Sequence, residues 1–255
     1  MELTGTRVLL TGASGGLGQA IARRLARYGA ALTLTARNRP ALDSLADETR
    51  GTVVEADLSK RGEVQKLAKS LGDFDVLIAN AGVGGDTDGA LLGAKAIDAA
   101  MDVNLRAPMV LGSAFAQARI AADRPGQIVF VGSLSGLAAS AGSTLYNATK
   151  FGLRGFSLAL RQDLEPHRVG VTIVEPGFIR DAGMFAEGGV ELPTGVRTKS
   201  PEDVAVAVEK AIRKNPAEIF VAPTELRAAV TLATVAPRLS EAIQRRAGVR
   251  ELRNG

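Results

Sequence analysis

The sequence predicts an α/β fold: a doubly wound parallel sheet of about seven strands with helices on both faces. Three observations predict it. Short apolar runs alternate with longer stretches of helical periodicity, the order that folds into parallel strands joined by crossover helices. The first apolar run leads directly into a glycine-rich turn and then a helical pattern. No internal repeat, low-complexity tract or linker interrupts the 255 residues, and an apolar content of 46% is ample for a sheet covered on both faces. The expectation is one domain over residues 1–255.

Taken in order, Arg7–Thr11 reads as a buried first strand. It runs into Gly12-Ala-Ser-Gly-Gly-Leu-Gly18 and the helical pattern Gln19–Tyr28. A strand, a glycine turn and a helix N-terminus together make an anion cradle, with backbone N–H groups and the helix dipole facing a phosphate. Gly12 permits the tight turn, Gly16 lets the backbone approach a pyrophosphate, and Gly18 lets the helix pack on the sheet. The spacing is G-x-x-x-G-x-G, distinct from the commoner G-x-G-x-x-G. Ala31–Thr35 reads as strand two, Gly51–Ala56 as three, Phe74–Ala79 as four, Gly126–Gly132 as five and Val169–Glu175 as six. Ile219–Val221 closes the sheet as a short seventh, and long helices fit Ala94–Ala122 and Ser143–Leu164. Gly12, Asn80, Ser133 and Pro176 fall at or just beyond the carboxyl ends of strands, where such sheets bind ligands.

Tyr146 and Lys150 share one face of the second long helix, so the phenol and the ammonium point into the same space. A free phenol has a pKa near ~10, and a fixed positive charge beside it stabilises the phenolate. A serine hydroxyl beside that phenol, from Ser133, can hold a carbonyl oxygen.

Thr11-Gly12-x-x-x-Gly16-x-Gly18, Asp57-Leu58, Asn80-Ala81-Gly82, Asn104, Ser133, Tyr146-x-x-x-Lys150 and Pro176-Gly177 occur in this order. With them the chain resembles the short-chain dehydrogenase/reductase family, in its single-domain branch, over nearly its whole length. The resemblance implies a Rossmann-type sheet and hydride transfer between a nicotinamide cofactor and a carbonyl or alcohol. It implies a catalytic set of Asn104, Ser133, Tyr146 and Lys150. Tyr146 would give the proton, Lys150 would lower the phenol's pKa and hold the nicotinamide ribose, and Ser133 would position the substrate oxygen. Asn104 would keep a helix kink and a water in the proton path. The cofactor would lie on Gly12, Ser14, Gly16, Leu17, Gly18, Arg37, Asp57, Leu58, Asn80, Ala81, Gly82, Pro176, Gly177 and Ile179, as well as on Tyr146 and Lys150. Asp57 would meet the adenine amino group, or else serve only as a cap before Ser59-Lys60. Asn80-Ala81-Gly82 reads as more architectural than chemical. One position departs from the family's P-G-x-x-x-T: Asp181 stands where threonine is usual, a carboxylate near the pyrophosphate that Arg180 would have to offset.

The end of strand two indicates which nicotinamide cofactor is used. Thr35-Ala36-Arg37-Asn38 has no acid for a ribose 2′-hydroxyl and a guanidinium suited to a 2′-phosphate, which favours NADP(H) over NAD(H). The absence of cysteine and the presence of one histidine argue against a thiolate or histidine metal site. No signal peptide or bilayer-spanning stretch is read, so the expected compartment is the cytoplasm. The net charge of +4 comes with no nucleic-acid motif. Residues 178–199 are expected to form a lid, with Phe178, Ile179, Met184, Phe185, Val190, Leu192 and Val196 suiting a small hydrophobic substrate. Residues 223–255 are expected to form a helical tail broken at Pro237, its stripe of Leu226, Val230, Ala233, Leu239 and Ile243 docking on the domain or on another subunit of a homo-oligomer. Arg245, Arg246, Arg250 and Arg253 offer an anionic membrane surface as a lesser alternative. Two other readings stand beside the reductase. One is a non-catalytic, cofactor-binding or scaffolding protein on the same fold. The weaker one is a sugar-nucleotide epimerase or dehydratase, whose relatives usually carry a longer C-terminal domain.

Overall fold

The structure, a computed structural model, describes residues 1–84, 89–182 and 197–246. Seven parallel strands form one sheet: β1 (Arg7–Thr11), β2 (Ala31–Ala36), β3 (Thr52–Glu55), β4 (Val76–Ala79), β5 (Gly126–Val131), β6 (Val169–Pro176) and β7 (Glu218–Val221). Their order is β3-β2-β1-β4-β5-β6-β7, so the chain reverses its direction of winding between β1 and β4. A crevice opens there at the carboxyl ends of the strands.

Strand residues alternate between two cores, because successive side chains point to opposite faces. Val8, Leu10, Val76, Ile78, Val129, Val131 and Val174 join one buried cluster with α1 (Gly16–Arg27), α2 (Arg39–Thr49) and a helix over Pro201–Lys214. Leu9, Leu77, Ile128, Phe130, Val171 and Ile173 join the other with α3 (Arg61–Ala68), and with helices over Ala107–Ala121 and Thr144–Asp163. Each fully buried Leu, Ile, Val or Phe contributes roughly 1.5–3 kcal/mol, so the two covered faces carry the fold. Glycine makes room where elements press closest: a Cβ on Gly112 would lie 2.8 Å from the Phe130 ring.

The long helix expected over Ala94–Ala122 is interrupted. It divides into α4 (Ala94–Met101), a π-helical turn (Asp102–Arg106) and α5 (Ala107–Ala121). The cause is in the sequence: Pro108 has no N–H to give to the carbonyl of Asn104, four residues earlier, and its ring crowds that carbonyl. The backbone widens instead, and the N–H of Ala107 reaches back to the carbonyl of Asp102. The second long helix, α6 (Thr144–Asp163), is continuous.

After β6, α7 (Pro201–Lys214) begins with a capping box in which Ser200 and Asp203 exchange side-chain and backbone hydrogen bonds. The tail breaks at the expected place. α8 (Thr224–Val235) ends at Ala236 and α9 (Pro237–Arg246) starts on the proline. Val230 and Leu226 pack on Leu134, Leu137 and Ala222, and the Thr234 hydroxyl donates to the carbonyl of Leu137. Leu239 stays half exposed, and the side chain of Ile243 lies outside the described residues.

Candidate active site

The glycine turn follows β1 directly. Gly12 has φ 66°, in the left-handed region where glycine is favoured, and a Cβ on it would lie 2.7 Å from Ala81 Cα. A Cβ on Gly18 would lie 2.2 Å from the Gly12 carbonyl oxygen, so only glycine lets α1 start this close to the turn. Asn80, just past β4, fastens the crevice from the other side by donating to the carbonyls of Thr11 and Gly12 at 3.2 and 3.1 Å. The Thr11 hydroxyl accepts from the N–H groups of Asn80 and Ala81 in return. α1 has no side-chain cap and no acid in its first turn, leaving its first N–H groups for an anion.

Beyond β2, Arg37 is exposed and makes no hydrogen bond or ion pair among the described residues. Asn38 caps α2 by accepting from the N–H of Ala41, while Arg39 turns away to Asp43. Asp57 accepts from both the N–H and the hydroxyl of Ser59 in a local turn, and does not cap α3, whose N-cap is Lys60 with no side-chain bond. Those bonds hold its carboxyl below the ordinary value against the opposing effect of partial burial. Leu58 beside it is buried.

The π-helical turn aims Asn104 into the interior, where it is 1% exposed. Its amide oxygen accepts from the N–H of Val83 at 2.7 Å, and its amide nitrogen donates to the Val83 carbonyl at 2.8 Å and the Thr149 hydroxyl at 3.3 Å. A Cβ on Gly82 would sit 3.4 Å from the Asn104 side-chain oxygen and 3.8 Å from Lys150 Nζ, so the β4 loop, the π turn and α6 meet at one point.

Ser133 follows β5 and caps the short turn Leu134–Gly136, its Oγ accepting from the N–H of Ser135. Its hydroxyl lies near enough to the Tyr146 phenol to favour the phenol's ionised form. Lys150, one turn along α6, is 3% exposed, with Nζ donating to the Val131 carbonyl at 3.0 Å and lying 5.6 Å from the centroid of the Tyr146 ring. The three groups expected to meet do meet.

Their ionisation is governed first by burial. Burial pushes the Tyr146 phenol up to about 12; the Ser133 hydrogen bond opposes this and the Glu175 charge reinforces it. Burial also pushes Lys150 down to about 8, against the attraction of Glu175. Burial thus opposes the charged form of both groups, and the Lys150 ammonium stands beside the phenol against that desolvation.

Pro176 ends β6, and Gly177 lies against Leu134 and Leu226. Ile179, 4% exposed, pairs with Lys199 in an isolated parallel bridge, and the N–H groups of Arg180 and Lys199 complete it. Asp181 is exposed at φ 68°, and the Arg180 guanidinium lies 3.3 Å away, the offset its position called for. Met184, Phe185, Val190, Leu192 and Val196 lie outside the described residues, as do Arg250 and Arg253, and nothing is described of the Arg245 and Arg246 side chains.

One group at this corner went unread. Glu175 is fully buried at the end of β6, with one carboxylate oxygen accepting from the Ser133 N–H. The sequence signal was a charge closing an otherwise apolar strand. The residues of the crevice fit a nicotinamide dinucleotide: a glycine cradle closed to a Cβ at Gly12 and Gly18, an uncapped helix N-terminus, and past β2 a guanidinium that makes no hydrogen bond among the described residues.

Comparison with known proteins agrees with this geometry. The family model described as short chain dehydrogenase matches residues 6–189. The chain is similar to the 3-oxoacyl-(acyl-carrier-protein) reductase FabG of Rickettsia prowazekii, 32% identical over 182 residues, 71% of this chain and 75% of that protein. It resembles the structure of a bulky-bulky ketone specific alcohol dehydrogenase from Comamonas testosteroni, with a TM-score of 0.77 and 27% identity, covering 96% of this chain and 94% of that one. It also resembles a short-chain dehydrogenase from Sphingobium yanoikuyae in complex with NADPH, with a TM-score of 0.79 and 26% identity, covering 96% and 95% of the two chains.

Proposed function

Because the chain belongs to the short-chain dehydrogenase family of oxidoreductases, we propose that it transfers a hydride between NADP(H) and a small, hydrophobic carbonyl or alcohol. The observation that carries this reading is the convergence of Ser133, Tyr146 and Lys150 at the mouth of the crevice. The cofactor supplies or accepts the hydride. Ser133 holds the substrate oxygen beside the phenol, and Tyr146 gives its proton to that oxygen as negative charge develops on it. Lys150 Nζ, held by the Val131 carbonyl, stands where it can donate to a ribose hydroxyl. Asn104 fixes the Val83 backbone and hence the wall beside Lys150.

NADP(H) is favoured by the unpaired guanidinium of Arg37 and by the absence of an acid at the end of β2. The Sphingobium structure, solved with NADPH, supports the same choice. A ketone or alcohol substrate is in keeping with the Comamonas enzyme's name, although that name specifies bulky ketones and not small ones. A homo-oligomer and a cytoplasmic location complete the reading; Ile97 and Met101 on α4 and Phe151 on α6 leave apolar surface for a second copy. Tyr146 and Lys150 are both present, which disfavours the scaffold alternative.

Calorimetric titration with NADPH and NADH at matched salt tests this reading. NADPH should bind more tightly, and Arg37→Ala should weaken NADPH about 10- to 100-fold, the equivalent of a charged hydrogen bond of roughly 1.5–3 kcal/mol, while leaving NADH unchanged. Equal affinity in the unsubstituted protein would end the role of Arg37. Binding of neither would end the oxidoreductase reading.

A further inference from the structure

Glu175 lies under the site with an incomplete set of partners. It is fully buried, one oxygen accepts from the Ser133 N–H at 2.5 Å, and Oε1 has no hydrogen-bond partner among the described residues. Space for the carboxyl exists only because residue 132 is glycine; a Cβ there would lie 2.3 Å from the bonded oxygen. The charged and titratable groups that reach it are Tyr146, Lys150 and Arg154 from α6, and Glu218 from β7. Arg154 is already engaged by Glu218 at 2.7 and 3.2 Å, and Lys150 Nζ donates to the Val131 carbonyl. Neither cation therefore hydrogen-bonds Glu175. An incompletely partnered buried carboxyl is costly and is unexpected at a place that only supports a strand.

We propose that Glu175 is a positioning residue of the site, whose buried carboxyl anchors the Ser133 backbone and places a negative charge at the corner that Ser133 shares with Tyr146. This rests on the reading of Tyr146 as the proton carrier and deepens it, because the Ser133 contact and the carboxyl behind it set how firmly the phenol holds its proton. Its two effects on the phenol have opposite signs. The negative charge raises the phenol's pKa, whereas support of Ser133 preserves a hydrogen bond that lowers it. The carboxyl itself is pushed up to about 8 by burial, so it is ionised in the alkaline range where the phenol titrates.

The chain has two tyrosines and no tryptophan, which makes the phenol directly readable. Tyr28 lies between the guanidinium groups of Arg24 and Arg213, far from the crevice in the fold, so Tyr28→Phe leaves Tyr146 as the lone phenol. Tyrosinate absorbance is then followed by pH-jump stopped flow, ahead of alkaline unfolding, in Tyr28→Phe and in Tyr28→Phe with Glu175→Gln. The inflection should fall by about one pH unit or more in the Gln variant. A rise would mean that support of Ser133 is the whole role, and no change would mean that Glu175 has neither; either overturns the proposal. Glu175→Met, of similar length and without charge, is read in the same way if the Gln variant does not fold. The readout needs no substrate. NADPH calorimetry on the same proteins separates the two ideas: loss of binding in Tyr28→Phe alone counts against the oxidoreductase reading, and an unmoved phenol with binding intact counts only against Glu175.

Discussion

Tyr146 stands at the junction of three opposing influences: burial raises its pKa, the Ser133 hydroxyl lowers it and the Glu175 charge raises it. Burial wins, and the phenol rests as a donor. Removing the hydroxyl therefore removes a proton source and almost no packing, since the ring remains. Tyr146→Phe should lower turnover of a hydrophobic ketone about 100- to 10,000-fold while NADPH still binds by calorimetry; full turnover would place the proton elsewhere. At this scale the sequence was legible wherever a residue acts through its own spacing, as with Tyr146 and Lys150 on one helix face. It was not legible where a role depends on strand register. Glu175 meets Ser133 only because β5 and β6 pair Val131 with Val174, and no local pattern reports which strands are neighbours.

Elements show the same division. β1 has the bounds its apolar run suggested, and the other strands shift by a residue or two because their ends are fixed by neighbours, not by their own composition. The π turn at Asp102–Arg106 could have been read from Pro108, whose missing N–H falls opposite the Asn104 carbonyl. α1 shows how narrow the tolerance is where an element both packs and binds. Gly18 is buried in its first turn, and an added methyl would strike backbone, which cannot swing aside as a side chain can. Gly18→Ala should lower the melting temperature and weaken NADPH at least about 10-fold, as α1 is levered away from the turn. Calorimetry alongside thermal melts checks both, and an unchanged affinity would mean that the cradle tolerates a displaced helix.

Across the whole molecule, chemistry and anchorage occupy opposite edges of the sheet. The crevice lies at the carboxyl ends of the strands, and Asp75 sits at the other end, just before β4. Its carboxylate accepts from the N–H and guanidinium of Arg7, and lies 3.4 Å from the buried guanidinium of Arg119 on α5. These contacts, led by the Arg7 hydrogen bonds, hold the Asp75 carboxyl below its ordinary value of 3.8. The stabilisation is therefore complete above that pH and is lost as pH falls through the lowered value. Asp75→Asn should cost about 1–2 kcal/mol at neutral pH, discounted because Arg7 is partly exposed, and the difference should close on acidification. Denaturant melts across that range measure it, with NADPH affinity expected to stay put; a difference constant with pH would show that charge is not its source. A second separation is drawn by the bridge between Ile179 and Lys199, which ties two distant points of the chain to each other before either joins β6 or α7. Chain inserted or deleted between them leaves the registers on either side intact, and doubling such a stretch costs only about 0.6 kcal/mol in closure entropy. The stretch is in effect an exchangeable cassette: its length can be rewritten while the register of β6 with β7 and the corner of Ser133, Tyr146 and Lys150 are inherited untouched.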